Sequence, residues 1–182
     1  RAIKNDIDFI KNSMKNFKNP NIILQEHDKR VDIRIGDFFL GDENAPVEMI
    51  EFGDFECPFS ARFATEQFNN IKTDYIDTGK VKFTFKHFPL DFHKLAMGYA
   101  QLAEYAKTKD KFWEFYNEIF SAMKFGKFTS LNTIAMNLQL DLRDLFKFIA
   151  EHSGIENINN DIKDGYSKNI SGTPSFFING RY

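Results

Sequence analysis

Cysteine is nearly absent from this chain: Cys57 stands alone among 182 residues. One cysteine excludes an intrachain disulfide and leaves the redox compartment open in either direction. Net charge is scarce too. A formal charge of −2 gives no sign of a nucleic-acid surface, so no nucleic-acid partner is expected. No apolar run approaches the ~18 residues that a membrane-crossing helix needs. Internal repeats and low-complexity tracts are missing. So are metal-ligand patterns. His87 and His93 lie around FPLDF with no cysteine or carboxylate at zinc-ligand spacing, and read as surface or loop histidines. His27 and His152 are isolated, so no metal and no cofactor is expected. Ser60 lacks the Gly-x-Ser-x-Gly setting of a hydrolase nucleophile. The chain opens at Arg1 with neither a methionine nor a signal peptide, and a natural start that was removed or lies upstream is expected.

What is present is apolar and aromatic. Hydrophobic residues make up 42%, and 22 phenylalanines dominate them, enough for one domain, or one domain with an extension. Ile3, Ile7, Ile10, Met14 and Phe17 share a helical face, which predicts an N-terminal helix able to pack on the main domain or on a second copy. VDIRI (31–35) alternates as a half-buried strand does, and VEMIEF (47–52) reads as an interior strand. From Pro58 the period lengthens: Ala64, Phe68, Ile71 and Tyr75 fall on one helical face, which Gly79 ends. VKFTF (81–85) is the next strand. Strand, helix and strand form a βαβ unit, so the two strands should be parallel. Helices follow over 95–106 and 112–123. Ser130 and Asp141 are candidate N-caps for two more, and Ile155, Ile158 and Ile162 mark a last one ending near Gly165. The stripe Phe112, Trp113, Phe115, Tyr116 and Phe120 reads as helix core. SGTPSFFING closes the chain with a turn, a short strand and Asn179-Gly180, a favoured hairpin turn, so the natural chain is expected to continue with a returning strand.

The chemistry centres on EFGDFECPFSARF (51–63). Cys57 ends the loop after a strand and precedes Pro58, which suits a first helical position because its missing N–H would have no partner there. Helix N-termini favour anions, and they favour thiolate over thiol. Cys57 is therefore a candidate nucleophile; the alternative is a buried structural cysteine. Glu51, near the end of the interior strand, is either a buried carboxyl group able to carry a proton or a strand-end residue reaching solvent. Thr173-Pro174, taken alone, is a turn.

GDENAPVEMIEFGDFECPF, followed far downstream by SGTPSFFINGR, resembles the DsbA-like thiol–disulfide oxidoreductases of the thioredoxin superfamily. The resemblance runs from about Gly41 to Tyr182 and includes Phe-Trp-Glu-Phe at 112–115. It implies an α/β, thioredoxin-like fold with an inserted helical subdomain. In that division residues 1–30 are an N-terminal helical extension and 31–92 the first thioredoxin-like part. Residues 93–168 are the insertion, and 169–182 the cis-proline loop and strand. It further implies that Cys57 is the nucleophilic cysteine, and that Pro58 and Phe59 are the dipeptide that tunes the redox potential and meets the substrate. Pro174 becomes a cis-proline beside the sulfur. Thr173 before it offers backbone to a substrate strand, and Glu51 is a buried proton relay. Implied partners are cysteine-containing secreted proteins and a membrane or thioredoxin-like redox partner, in the periplasm or another extracytoplasmic space. A homodimer through the N-terminal helix is a further possibility that the chain raises by itself.

Ser60 departs from the family, because it stands where a second cysteine completes C-x-x-C. A hydroxyl forms no disulfide, so an adduct on Cys57 must wait for an external thiol or a substrate cysteine. Two origins stay open: an engineered replacement that traps the mixed disulfide, or a natural monothiol acting by isomerisation or with a small thiol such as glutathione. A redox-silent, chaperone-like binding module and a glutathione-dependent isomerase are the alternative functions.

Overall fold

The computed structural model describes Asp8, residues 37–124 and residues 129–182. Apart from Asp8, the expected helix over 3–17 lies outside the described residues, as do its dimer role and the strand over 31–35. Strand β1 spans Phe39–Leu40, β2 Val47–Gly53, β3 Val81–His87 and β4 Ser175–Ile178. They form one mixed sheet in the order β1-β3-β2-β4. β2 and β3 are parallel, in register from Val47 with Val81 to Gly53 with His87, as the βαβ pattern predicts. β1 runs antiparallel to β3, and β4 antiparallel to β2. Beyond β4, Asn179 (φ 49°) and Gly180 (φ 75°) make the expected tight turn, and Arg181 returns to bridge Ile178.

The crossover is less regular than its apolar spacing implies. Helix α1 (Pro58–Glu66) stops at Gln67 (φ −117°), a short α2 (Phe68–Ile71) follows, and a π-helical turn over Lys72–Ile76 completes it. The apolar face survives the break as far as Ile71: Ala64, Phe68 and Ile71 are buried, whereas in the π-helical turn Ile76 is buried and the expected Tyr75 only half-buried. Gly79, at φ +72°, lets the chain turn into β3. The remaining helices are α3 (Ala96–Lys107), α4 (Phe112–Lys124), α5 (Leu131–Asn137), α6 (Leu142–Ala150) and α7 (Ile155–Ser167). Ser130 Oγ accepts from the Thr133 N–H and Asp141 Oδ1 from the Asp144 N–H, so both predicted caps form.

Each sheet face buries a different set. Val47 and Met49 of β2 and Phe83 and Phe85 of β3 meet the larger cluster, with Phe55, Phe112, Phe115, Tyr116 and Phe120. Ile50, Phe52, Phe88, Ile170 and Phe177 form the smaller one. Full burial of each such ring removes it from water for about 1.5–3 kcal/mol. β3 also carries charge inward. Lys86, fully buried, reaches Asp37 (2.8 Å), Asp164 (3.1 Å) and Asp161 (3.5 Å), tying the sheet to α7 and to the segment before β1.

Candidate functional site

The loop before α1 is built by Asp54. Its Oδ1 accepts the Glu56 N–H at 2.7 Å and its carbonyl accepts the Cys57 N–H at 3.0 Å, which folds residues 54–57 into a tight turn. Phe55 anchors the turn by stacking on Phe85, centroid distance 4.8 Å, and meeting Phe115 edge-on at 4.9 Å. Cys57 is thereby the N-cap of α1, with Pro58 in the first turn. Its side chain makes no capping hydrogen bond. Instead the thiol donates to the Thr173 carbonyl at 3.2 Å, across 116 positions of sequence. The Thr173–Pro174 bond is cis. Ser175 Oγ donates to the Gly172 carbonyl at 2.7 Å and closes this second loop.

The two loops enclose a cavity of about 310 Å³. Among the residues named from sequence, Cys57, Pro58, Phe59, Thr173 and Pro174 all line it. Leu90, Phe92, His93 and Tyr182 also line it; of these four only His93 was weighed from sequence, where it read as a surface or loop histidine. Phe59 and Phe92 are exposed, giving the mouth an apolar rim. Cys57 itself is 3% exposed. Ser60 is fully buried inside α1, where its Oγ accepts from the Asp54 N–H at 3.5 Å, and it does not line the cavity.

Glu51 lies outside the cavity as well. It falls in phase with Val47 and Met49 on the face of β2 that meets the larger cluster, and it is fully buried. That alternation, readable in VEMIEF, was the signal for burial over solvent exposure. Its Oε2 accepts from the Tyr116 hydroxyl at 3.0 Å, while Oε1 has no hydrogen-bond partner among the described residues. Burial pushes this carboxyl group up to about 8, against the lowering effect of the Tyr116 bond.

The histidines divide. His87, at the end of β3, is a core residue: its Nε2 lies 3.2 Å from Glu104 Oε1, and its backbone N–H donates to Asp161 at 2.9 Å. The expectation of a surface or loop histidine fails there, because residue 87 is in phase with Phe83 and Phe85. His93 does lie in the β3–α3 loop, yet its Nδ1 is 2.7 Å from Asp54 Oδ2 and its ring faces the cavity. His152 sits in a turn before α7, at φ 54°; His27 lies outside the described residues.

Comparison with known proteins agrees with this fold. The family model described as Thioredoxin matches residues 34–182. Oxidised BdbD from Bacillus subtilis superposes with a TM-score of 0.73 at 25% identity, covering 84% of this chain and 86% of its own. A probable disulfide bond formation protein D from Bacillus anthracis is 31% identical over 149 residues, 78% of this chain and 69% of that protein. The Na(+)/H(+) antiporter NhaA 1 of Salinispora arenicola is 32% identical over 146 residues, 80% of this chain. The chain spans only 22% of that antiporter's length.

Proposed function

The chain belongs to the thioredoxin family, in its DsbA-like branch of disulfide bond formation proteins, and on that premise we propose that Cys57 performs thiol–disulfide exchange on cysteines of extracytoplasmic proteins. The observation that carries this is the contact between Cys57 Sγ and the Thr173 carbonyl, at the start of a helix and in a cavity open to a polypeptide. The Cys57 thiolate attacks one sulfur of a substrate disulfide. A bond forms between Sγ and that sulfur, the substrate S–S bond breaks, and the other sulfur leaves with the electron pair and takes up a proton. An external thiol or a second substrate cysteine then displaces Cys57, since the Ser60 hydroxyl cannot.

In this reading Pro58, Phe59 and Pro174 contact the substrate, and Thr173 pairs with its extended backbone. The apolar rim of Phe59 and Phe92 suits cysteines flanked by apolar residues. Glu51, protonated at neutral pH, stores a proton for the exchange. The likeness to disulfide bond formation proteins supports a reaction in the periplasm or another extracytoplasmic space, where disulfides persist. A membrane-bound or thioredoxin-like partner, or a small thiol, resets the cysteine.

Two assays test the proposal. Incubation with a disulfide-linked peptide should leave a stable mixed disulfide on Cys57, detected as an intact-mass increase that Cys57→Ala abolishes. Ser60→Cys should turn over, either reducing insulin or oxidising an unfolded dithiol substrate. No adduct on the unaltered chain, with Ser60→Cys inert in both directions, overturns it. The exposed rim also favours a binding-module reading, which suppression of aggregation unchanged by Cys57→Ala would support.

A further inference from the structure

We propose that His93, positioned by Asp54, is the general base that takes the proton from the thiol that resolves the Cys57 mixed disulfide. The inference rests on the exchange reading of Cys57 and adds a residue to it.

Asp54 is 1% exposed, and donors converge on both of its side-chain oxygens. Oδ1 takes the Glu56 N–H; Oδ2 takes the Leu90 N–H at 2.8 Å and faces His93 Nδ1 at 2.7 Å. A carboxylate so placed accepts, so Nδ1 carries the hydrogen and Nε2 presents its lone pair. Nε2 has no hydrogen-bond partner among the described residues, and the ring lines the cavity that holds Cys57 and Pro174. The Phe92 ring packs edge-on against it, centroid distance 4.5 Å. The same aspartate accepts the Cys57 N–H through its carbonyl, so one residue sets both the sulfur and the imidazole. Among the lining residues the titratable side chains are Cys57, His93 and Tyr182, and among the described residues no Asp, Glu, Lys or Arg lines the cavity.

Ser60 in place of a second cysteine leaves the site without a resolving thiol of its own. A two-cysteine site brings its own resolving thiol, whereas here that thiol arrives from outside. Aliphatic thiols are mostly protonated at neutral pH, and only the thiolate attacks. The incoming proton passes to His93 Nε2 while its sulfur bonds the substrate sulfur of the mixed disulfide. The bond from that sulfur to Cys57 Sγ breaks, its electron pair stays on Sγ as thiolate, and His93 then gives its proton to solvent. One disulfide is exchanged for another, and no further oxidant or reductant is required.

The test uses the trapped mixed disulfide and two resolving thiols at pH 7. One is dithiothreitol, which must lose a proton; the other is thionitrobenzoate, which is already ionised. His93→Asn keeps an amide donor for Asp54 and removes the basic nitrogen. It should slow release by dithiothreitol about a hundredfold or more, in the ~10²–10⁴ range of general-base catalysis, and leave release by thionitrobenzoate within about twofold. Asp54→Asn should show the same thiol selectivity through the wrong tautomer. Equal slowing with both thiols, or no slowing with either, overturns the role of His93. If circular dichroism shows that His93→Asn is unfolded, His93→Gln is judged by the same ratio. Failure of the unaltered chain to form any mixed disulfide instead removes the exchange reading, and this inference with it.

Discussion

Glu51 and Glu104 are both buried glutamates, and the structure holds them at opposite ends of the carboxyl range. Glu51 has one hydroxyl for company, and burial lifts it to about 8. Glu104 is pushed up by burial as well, but the His87 hydrogen bond and charge, the Lys107 charge and the Asn157 amide together outweigh this and hold it at about 2. Asn157 donates to Oε2 at 2.7 Å and His87 sits 3.2 Å from Oε1, so both oxygens are satisfied. Burial alone therefore keeps a carboxyl group protonated at neutral pH, while burial with cationic and amide partners keeps one ionised. The cavity around Cys57 has a carboxyl group of the first kind in the core behind it, and the α3–α7 junction is held by the second.

That contrast can be broken in three ways. Glu104→Ala leaves His87 and Asn157 without their anion and should cost about 3–5 kcal/mol at pH 7 by chemical denaturation. Because its folded value is depressed, the stabilisation is present above about pH 4.5 and fades toward pH 2, so the cost of the substitution should shrink in that window. Glu51 has the opposite sign. Its raised folded value means that the native state keeps a proton the unfolded chain releases, so wild-type stability falls as pH rises from about 4.5 to about 8. Glu51→Gln should lack this decline; relative to it, the wild type should lose about 3 kcal/mol between pH 5 and pH 7.5. Parallel curves for the two proteins would show that Glu51 is not held protonated. Tyr116→Phe should have the smallest effect, about 1–2 kcal/mol, from one buried hydrogen bond. Since the hydroxyl lowers Glu51, its loss should extend the pH-dependent decline of stability to higher pH.

Much of the scaffold was legible in neighbouring residues. The parallel pair β2–β3, the caps at Ser130 and Asp141, the Asn179-Gly180 turn and Cys57 before a helix all follow from local rules. The break at Gln67 was not legible, because the apolar spacing continues through it while the backbone does not. Lys86 lies just past the strand expected over 81–85, and nothing near it in sequence announces Asp37, Asp161 and Asp164. His93 was passed over for the same reason: its partner Asp54 lies 39 residues away, in a loop read only for its cysteine.

The amino-acid order by itself determined the parallel pair β2–β3, the caps at Ser130 and Asp141 and the place of the candidate nucleophile Cys57 before a helix, because each depends on groups near one another in sequence. Only the tertiary structure decided that Thr173 would meet Cys57, that Glu51 would find Tyr116 and that Asp54 would take up His93. Those pairings arise when the packing of distant elements excludes water and fixes which polar groups remain within reach.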